Sequence, residues 1–173
     1  LILQRRHLIE IIPRRGAIVS PMESNEIANL CEVFSEMQSL CFAKLADQHS
    51  PDLSELDGAL AQMAAAVNSA DPEELLAARK RFLLGSLPPL DNFYLSSVLR
   101  GLVPAGLRME HLVALHPTYD ARDTLRYHQA LFEAITAHEV ERVKELVRAF
   151  HAREKKLAEG CSQNGVALKH RRS

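Results

Sequence analysis

The chain has no GxxxxGK[ST] phosphate loop, no GxGxxG turn after a strand, no GxSxG elbow and no HExxH helix. The nucleotide, dinucleotide, serine-hydrolase and zinc-protease chemistries that need those spacings are therefore without their machinery. No nucleophile–base pair or metal constellation stands out either, which leaves an enzyme without visible means. Net charge is nearly absent, at −1, so no global field draws the chain to nucleic acid and any DNA contact has to be local. Cysteine is scarce. Cys31, Cys41 and Cys161 show neither CxxC nor framework spacing, which excludes a disulfide scaffold and fits a reducing cytoplasm. No apolar run is long enough to cross a bilayer, and no secretory signal pattern is present.

What is there is globular: 173 residues, 47% apolar and 25% charged, enough for one sizeable domain and a fragment of a second. Residues 8–19 read as a basic two-stranded hairpin. Ile9, Ile11 and Ile12 on one side and Ile18 and Val19 on the other are β-branched and flank a turn cluster. Gly16 can take the positive φ such a loop often needs, and Arg14 and Arg15 sit at the tip. A short arginine-tipped hairpin is the shape of the wing of a winged helix-turn-helix, whose side chains meet DNA phosphates or enter the minor groove. An ordinary capping hairpin with solvated arginines is the plainer alternative. The chain opens on Leu1 in what reads as the middle of an element, so a truncated N-terminus is expected.

Helical periodicity governs the remainder. Ser20-Pro21-Met22-Glu23 resembles a capping box with proline at the first helical position. Ile27, Leu30, Cys31, Phe34, Met37, Cys41 and Leu45 then recur at i+3/i+4. Ser50-Pro51 opens a second helix, with Leu53, Leu56, Leu60, Met63 and Val67 inward. Asp71-Pro72-Glu73-Glu74 opens a third, which runs through Leu75, Leu76, Phe82 and Leu83 and stops at Pro88-Pro89. Asn92 to about Val103 and Leu107 to about Leu115 suggest two more helices, separated by Pro104 and Gly106. Asp123 is expected to cap the next, carrying Leu125, His128, Leu131, Phe132 and Ile135, and the last carries Val140, Val143, Val147, Phe150 and Leu157. Residues 160–173 lose periodicity and are expected to be disordered. Stripes of this kind must bury against one another, so the fold class is all-α: an antiparallel bundle of six to seven helices behind a short β-hairpin.

Two side chains sit oddly for their positions. His128 shares a register with Leu125, Phe132 and Ile135 and so points inward, as a satisfied core histidine or as a ligand-contacting group. Arg79 falls in register with Leu75, Leu76, Phe82 and Leu83. It either snorkels from the edge of the stripe or is a buried cation in need of an anion.

The order of elements resembles the FadR-type branch of the GntR family of bacterial transcription regulators. A wing reading Ile-Pro-Arg-Arg-Gly-Ala-Ile-Val-Ser, with Leu8-Ile9 entering it, precedes a bundle similar to the family's FCD effector-binding domain. The matching residues include Glu32-Val33, Leu40-Cys41, Phe82, Asn92-Phe93-Tyr94-Leu95 and the run from His128 to Ile135. The resemblance spans roughly residues 1–158. It implies residues 1–20 as the remnant of a winged helix-turn-helix, 21–159 as the effector-binding and dimerisation domain, and 160–173 as a tail. It also implies a cytoplasmic homodimer, with no membrane partner, that binds operator DNA and responds to a small carboxylic acid. The helix that reads the major groove would lie upstream of Leu3, leaving Arg14, Arg15 and Gly16 as wing contacts.

Many members hold a divalent metal with an aspartate and a histidine four residues apart, plus two later histidines. The resemblance places Arg79 at the aspartate position, Leu83 at the first histidine, His128 at the third ligand and Phe150 at the fourth, with His151 adjacent. One ligand of four cannot hold zinc, manganese or nickel usefully, so no metal or other cofactor is expected. The cavity is instead expected to use Arg79 to grip an acidic effector, with His128 as a second polar contact and Leu83, Phe150, His151 and Asn92 around it. The alternative is a ligand-independent dimerisation module whose cavity has collapsed around Leu83 and Phe150.

Overall fold

The computed structural model describes the backbone of residues 9–12, 16–19 and 22–170 and the side chains of residues 22–162. Ile9–Ile12 (β1) and Gly16–Val19 (β2) run antiparallel, with Ile9 opposite Val19 and Ile12 opposite Gly16. Arg14 and Arg15 lie outside the described residues. Among the described residues six helices follow: α1 (Ser24–Ala46), α2 (Ser54–Ser69), α3 (Pro72–Gly85), α4 (Phe93–Ala114), α5 (Ala121–Thr136) and α6 (Val140–His170), with a 3-10 turn at Pro88–Leu90. Among the described residues, no helix is long and apolar enough to cross a membrane.

Three helix starts follow local chemistry. The Asp71 carboxylate accepts from the backbone N–H groups of Glu73 and Glu74, satisfying donors that α3 itself cannot, and Pro72 occupies the first turn where its missing N–H costs nothing. Asn92 accepts from the Leu95 N–H to open α4. Asp120, rather than the expected Asp123, accepts from the Arg122 N–H to open α5. Asp123 lies in the first turn, where its charge suits the positive end of the helix, and it pairs with Arg126 and Arg153. The starts of α1 and α2 differ from expectation. Helix α1 begins at Ser24 with no side-chain cap, and Ser20 and Pro21 lie outside the described residues. Helix α2 begins at Ser54, three residues after Pro51, where the Asp52 carboxylate takes the Ser54 N–H.

The larger correction concerns α4. Pro104 and Gly106 do not break the chain into separate helices; both sit inside one 22-residue helix. Proline removes the hydrogen bond that its own N–H would have made to Arg100, and its ring crowds that carbonyl. Packing holds the segments on either side together, since Leu95, Leu99, Met109 and Val113 are all buried along one stripe. Gly106 is there for contact: a Cβ on it would stand 2.6 Å from the Phe34 ring. That close approach joins α1 to α4, together with a Cys31–Met109 sulfur contact of 3.2 Å and an Arg108–Glu26 ion pair. These pairings run in opposite directions along the two helices, so α1 and α4 are antiparallel.

Helix α6 likewise runs antiparallel along α1, from Arg148 and His151 opposite Glu36 and Gln38 to Ser162, whose hydroxyl donates to the Met22 carbonyl. The helix passes residue 160, where periodicity fades, and continues to His170. Ala158 is fully buried, and a Cβ on Gly160 would stand 3.1 Å from the His116 ring, so the ordered helix outlasts the apolar stripe. Helices α2 and α3 pack on one another, and α2 leans on α5. The core runs through all six helices, with Phe42, Phe82, Ile27, Leu45, Leu99 and Leu131 fully buried.

Replacing Gly106 by Ala is expected to destabilise the bundle by about 1–3 kcal/mol, because crowding of the Phe34 ring outweighs the roughly 1 kcal/mol that Ala gains in helix propensity. Thermal or urea unfolding checks this, and Phe34→Leu in the same background should recover some of the loss.

Candidate functional site

Five helices converge on one cavity. Phe34 and Gln38 come from α1, Arg79, Phe82 and Leu83 from α3, Leu107 and Glu110 from α4, Tyr127 and His128 from α5, and Phe150 and His151 from α6. The space is about 30 Å³, room for one or two water molecules.

At its centre is Arg79, 6% exposed. Its Nη2 donates to Glu154 Oε1 at 2.8 Å and lies 3.2 Å from Glu110 Oε1, while its guanidinium carbon sits 5.4 Å from the centre of the Phe150 ring. Arg79 is therefore the buried cation of the two readings, not a snorkelling side chain. Its anions are two residues of this same chain. Burial works against its charge, but Glu110 and Glu154 outweigh burial and hold its pKa above the ordinary arginine value. One guanidinium cannot neutralise two carboxylates. Burial pushes Glu154 up, opposed by Arg79. Burial also pushes Glu110 up to about 7, opposed by Arg79 and reinforced by the Glu154 charge.

The imidazoles are neutral. His128 Nδ1 donates to the Thr124 carbonyl at 2.8 Å, which leaves the Nε2 lone pair as an acceptor. Burial, then the Arg79 charge, lowers its pKa to about 3. His151 Nε2 donates to Gln38 Oε1 at 3.2 Å, and burial and Arg79 lower its pKa to about 4. The aromatic rings lock these groups in place. Tyr127 stacks on Phe150 at 3.8 Å, and His128 meets the edges of Phe82, Tyr127 and Phe150. Several buried polar atoms around the cavity have no hydrogen-bond partner within the protein: Arg79 Nε, Glu110 Oε2, Tyr127 Oη, His151 Nδ1 and Glu154 Oε2.

Of the residues expected here, Arg79, Leu83, His128, Phe150 and His151 all line the cavity. Asn92 does not; its side chain is committed to capping α4. Gly16 lies in β2, away from the bundle's cavity. Sequence reasoning missed Glu110, Glu154 and Tyr127. The signal for Glu154 was present, since it continues the stripe Val143, Val147, Phe150 seven residues after Val147. The donor set does not suit a divalent metal. Among the described residues no three His, Cys, Asp or Glu side chains converge as a metal site, and the guanidinium lies beside both available imidazoles and repels a cation there.

Comparison with known proteins places this geometry in a family. Residues 29–153 match the FCD domain model. A sequence search of curated proteins finds no match. Solved structures share the fold. A protein described as a GntR transcriptional regulator, from Rhodococcus sp. RHA1, is 16% identical with a TM-score of 0.74, covering 92% of this chain and 76% of that one. Escherichia coli McbR/YncC is 15% identical with a TM-score of 0.70, covering 99% and 81%. Lar, described as controlling expression of the Listeria monocytogenes agr system, is 17% identical with a TM-score of 0.66, covering 91% and 75%. The chain belongs to the FCD domain family.

Glu110 makes the cavity pH-sensitive with a definite sign. Its pKa in the fold, about 7, exceeds the ordinary carboxylate value near 4.3. The folded protein thus holds a proton that the unfolded chain has lost, and this group's stabilising contribution falls as pH rises between those values, by at most about 1.4 kcal/mol per pH unit. Measured by urea unfolding, the stability of Glu110→Gln relative to the parent chain should therefore rise from pH 5 to pH 8. A second variant tests the triad itself. Arg79→Met leaves two buried carboxylates unpaired and should cost about 3–5 kcal/mol, most of it recovered when Glu110→Gln and Glu154→Gln are added.

Proposed function

We propose that this chain is the sensing and dimerising region of a DNA-binding transcription regulator. The observation that carries the reading is the FCD match over the bundle, with a polar cavity built at the point where five of its helices meet. The GntR-type regulators that share the fold support it. The strand pair precedes α1 in the chain, the order in which a wing would precede the bundle, and we assign DNA contact to Arg14, Arg15 and Gly16. A small molecule bound among Arg79, Leu83, His128, Phe150 and His151 would touch helices α3, α5 and α6 together. It would then act by favouring one arrangement of the bundle, and of the dimer, over another.

Dimerisation is assigned to the α1/α4 face. Val33 and Leu40 on α1 and Tyr94 and Val98 on α4 are 47%, 44%, 81% and 44% exposed. Val33 borders a groove between the two helices whose lining includes Leu30, Leu102 and Ala105 with Glu23, Asn25, Glu26 and Asn29. Exposed apolar side chains on these two helices are suited to a second copy of the same chain.

A carboxylic-acid effector, the class the family resemblance implies, would meet a guanidinium whose Nη2 already holds two carboxylates and whose Nε is without a partner, with Lys80 on the same lining. A second reading, a ligand-independent dimerisation module, draws support from the small size of the cavity, closed by Leu83 and by Phe150 stacked on Tyr127.

Sedimentation velocity tests the assembly. At tens of micromolar the chain should sediment at twice its 19.3 kDa mass, and Val33→Glu combined with Val98→Glu should sediment as a folded monomer. A parent chain that is monomeric at that concentration contradicts the reading.

A further inference from the structure

We propose that the cavity at Arg79 binds one small monovalent anion, of the size of chloride or formate, and takes up a proton on Glu110 as it does so. The inference rests on the sensing reading above and adds to it how the site is regulated. It comes from the charges around the cavity and from which of two carboxylates lines it.

Arg79 and Lys80, neighbours on α3, both line the cavity. Against their two positive charges stand two carboxylates: Glu110 of α4, which shares the lining, and Glu154 of α6, which does not. Helix α1 brings no charged group to the lining, and α5 and α6 bring Tyr127 and the neutral imidazoles of His128 and His151. With both carboxylates ionised the four charges cancel. One added anion leaves a surplus negative charge in a nearly dry space, and one proton from solvent removes it.

That proton goes to Glu110. Glu154 holds the shorter contact with Arg79 Nη2, 2.8 Å against 3.2 Å. Glu110 is the carboxylate beside the incoming charge, and its Oε2 is buried without a partner. Once protonated, it changes from an acceptor that repels an anion into an O–H that donates to one. Burial and the Glu154 charge already hold Glu110 at about 7, so the proton is gained readily near neutral pH.

The other donors are in place. Arg79 Nε has no partner, Lys80 is exposed on the same lining, and Tyr127 Oη is free to donate. The lone pairs on His128 Nε2 and His151 Nδ1 are acceptors, and they favour a seat on the α3–α4 side of the cavity. A space of about 30 Å³ limits the ion to roughly one to three heavy atoms. Above pH 7 the empty site increasingly loses the Glu110 proton, so anion affinity falls as pH rises.

The test titrates the full chain with sodium formate and with sodium chloride from pH 6 to pH 9. Ionic strength is held with sodium gluconate, whose anion is too large for the space. Readouts are the imidazole NMR resonances of His128 and His151, and proton uptake by calorimetry in buffers of different ionisation enthalpy. Both resonances should shift saturably, with Kd rising by roughly tenfold between pH 8 and pH 9 and about one proton taken up per anion. Glu110→Gln, neutral at every pH and still a donor, should bind with a flat pH profile and roughly tenfold or more tighter than the parent at pH 9. Lys80→Met, at an exposed position, should weaken binding at pH 6. Coupled binding of either probe supports the inference, chloride marking a halide seat and formate alone a carboxylate seat. A flat profile in the parent, a pH dependence that persists in Glu110→Gln, or undiminished affinity in Lys80→Met would overturn it and leave the sensing reading standing. Equal shifts with gluconate would overturn it as an ionic-strength effect. Silence from both probes, in the parent and in Glu110→Gln alike, would overturn it in favour of the ligand-independent module.

Discussion

One guanidinium shared between two buried carboxylates is the constraint from which the centre of this bundle follows. Arg79 stands on α3, Glu110 on α4 and Glu154 on α6, so three helices are tied at one point by charges that cannot be left unpaired without a cost of several kcal/mol. An ion triad in a low-dielectric interior is a poor source of net stability but an exacting one for geometry, because only one mutual placement of the three helices satisfies it. The surrounding rings reinforce that placement. Phe150 lies under the guanidinium and against Tyr127, and the edge of His128 closes on both Phe82 and Phe150. The cavity is what this arrangement leaves open, and its lining includes Arg79, Glu110, Tyr127 and His151.

The outer contacts show how the rest of the bundle holds that centre. Helix α1 lies antiparallel to both α4 and α6, joined to the first by the Phe34–Gly106 approach and to the second by the Gln38–His151 hydrogen bond. Any movement of α6 relative to α1 therefore disturbs a cavity residue directly. The exposed apolar face of α1 and α4 is built on the same α1 helix that supplies Phe34 and Gln38 to the cavity.

Much of the bundle was legible in the sequence because periodic apolar stripes report burial directly. The α3 start was readable from Asp71-Pro72-Glu73-Glu74, and the inward facing of His128 from its register with Leu131 and Ile135. What failed did so for physical reasons. Pro104 and Gly106 look like breakers locally, but buried neighbours on both sides keep α4 continuous, and Gly106 answers to Phe34, distant in sequence. Asp120 and Asp123 are both plausible caps, and only backbone geometry separates them. At the site, five of the six expected side chains do meet. The partners of Arg79 come from α4 and α6, and pairing across 31 and 75 residues of sequence leaves no local mark. Glu154 lay in plain register on the α6 stripe, and a charged residue there was the clue that Arg79 already had its anion.

The account stands on an imbalance of charge inside the triad, and the most direct measure of it is a carbon-detected NMR titration of the Glu110 side-chain carboxyl in the folded chain. The account predicts a midpoint near pH 7, displaced upward by burial and by the Glu154 charge. A midpoint at the ordinary carboxylate value near 4.3 would mean that Arg79 and solvent satisfy both carboxylates, and would contradict it.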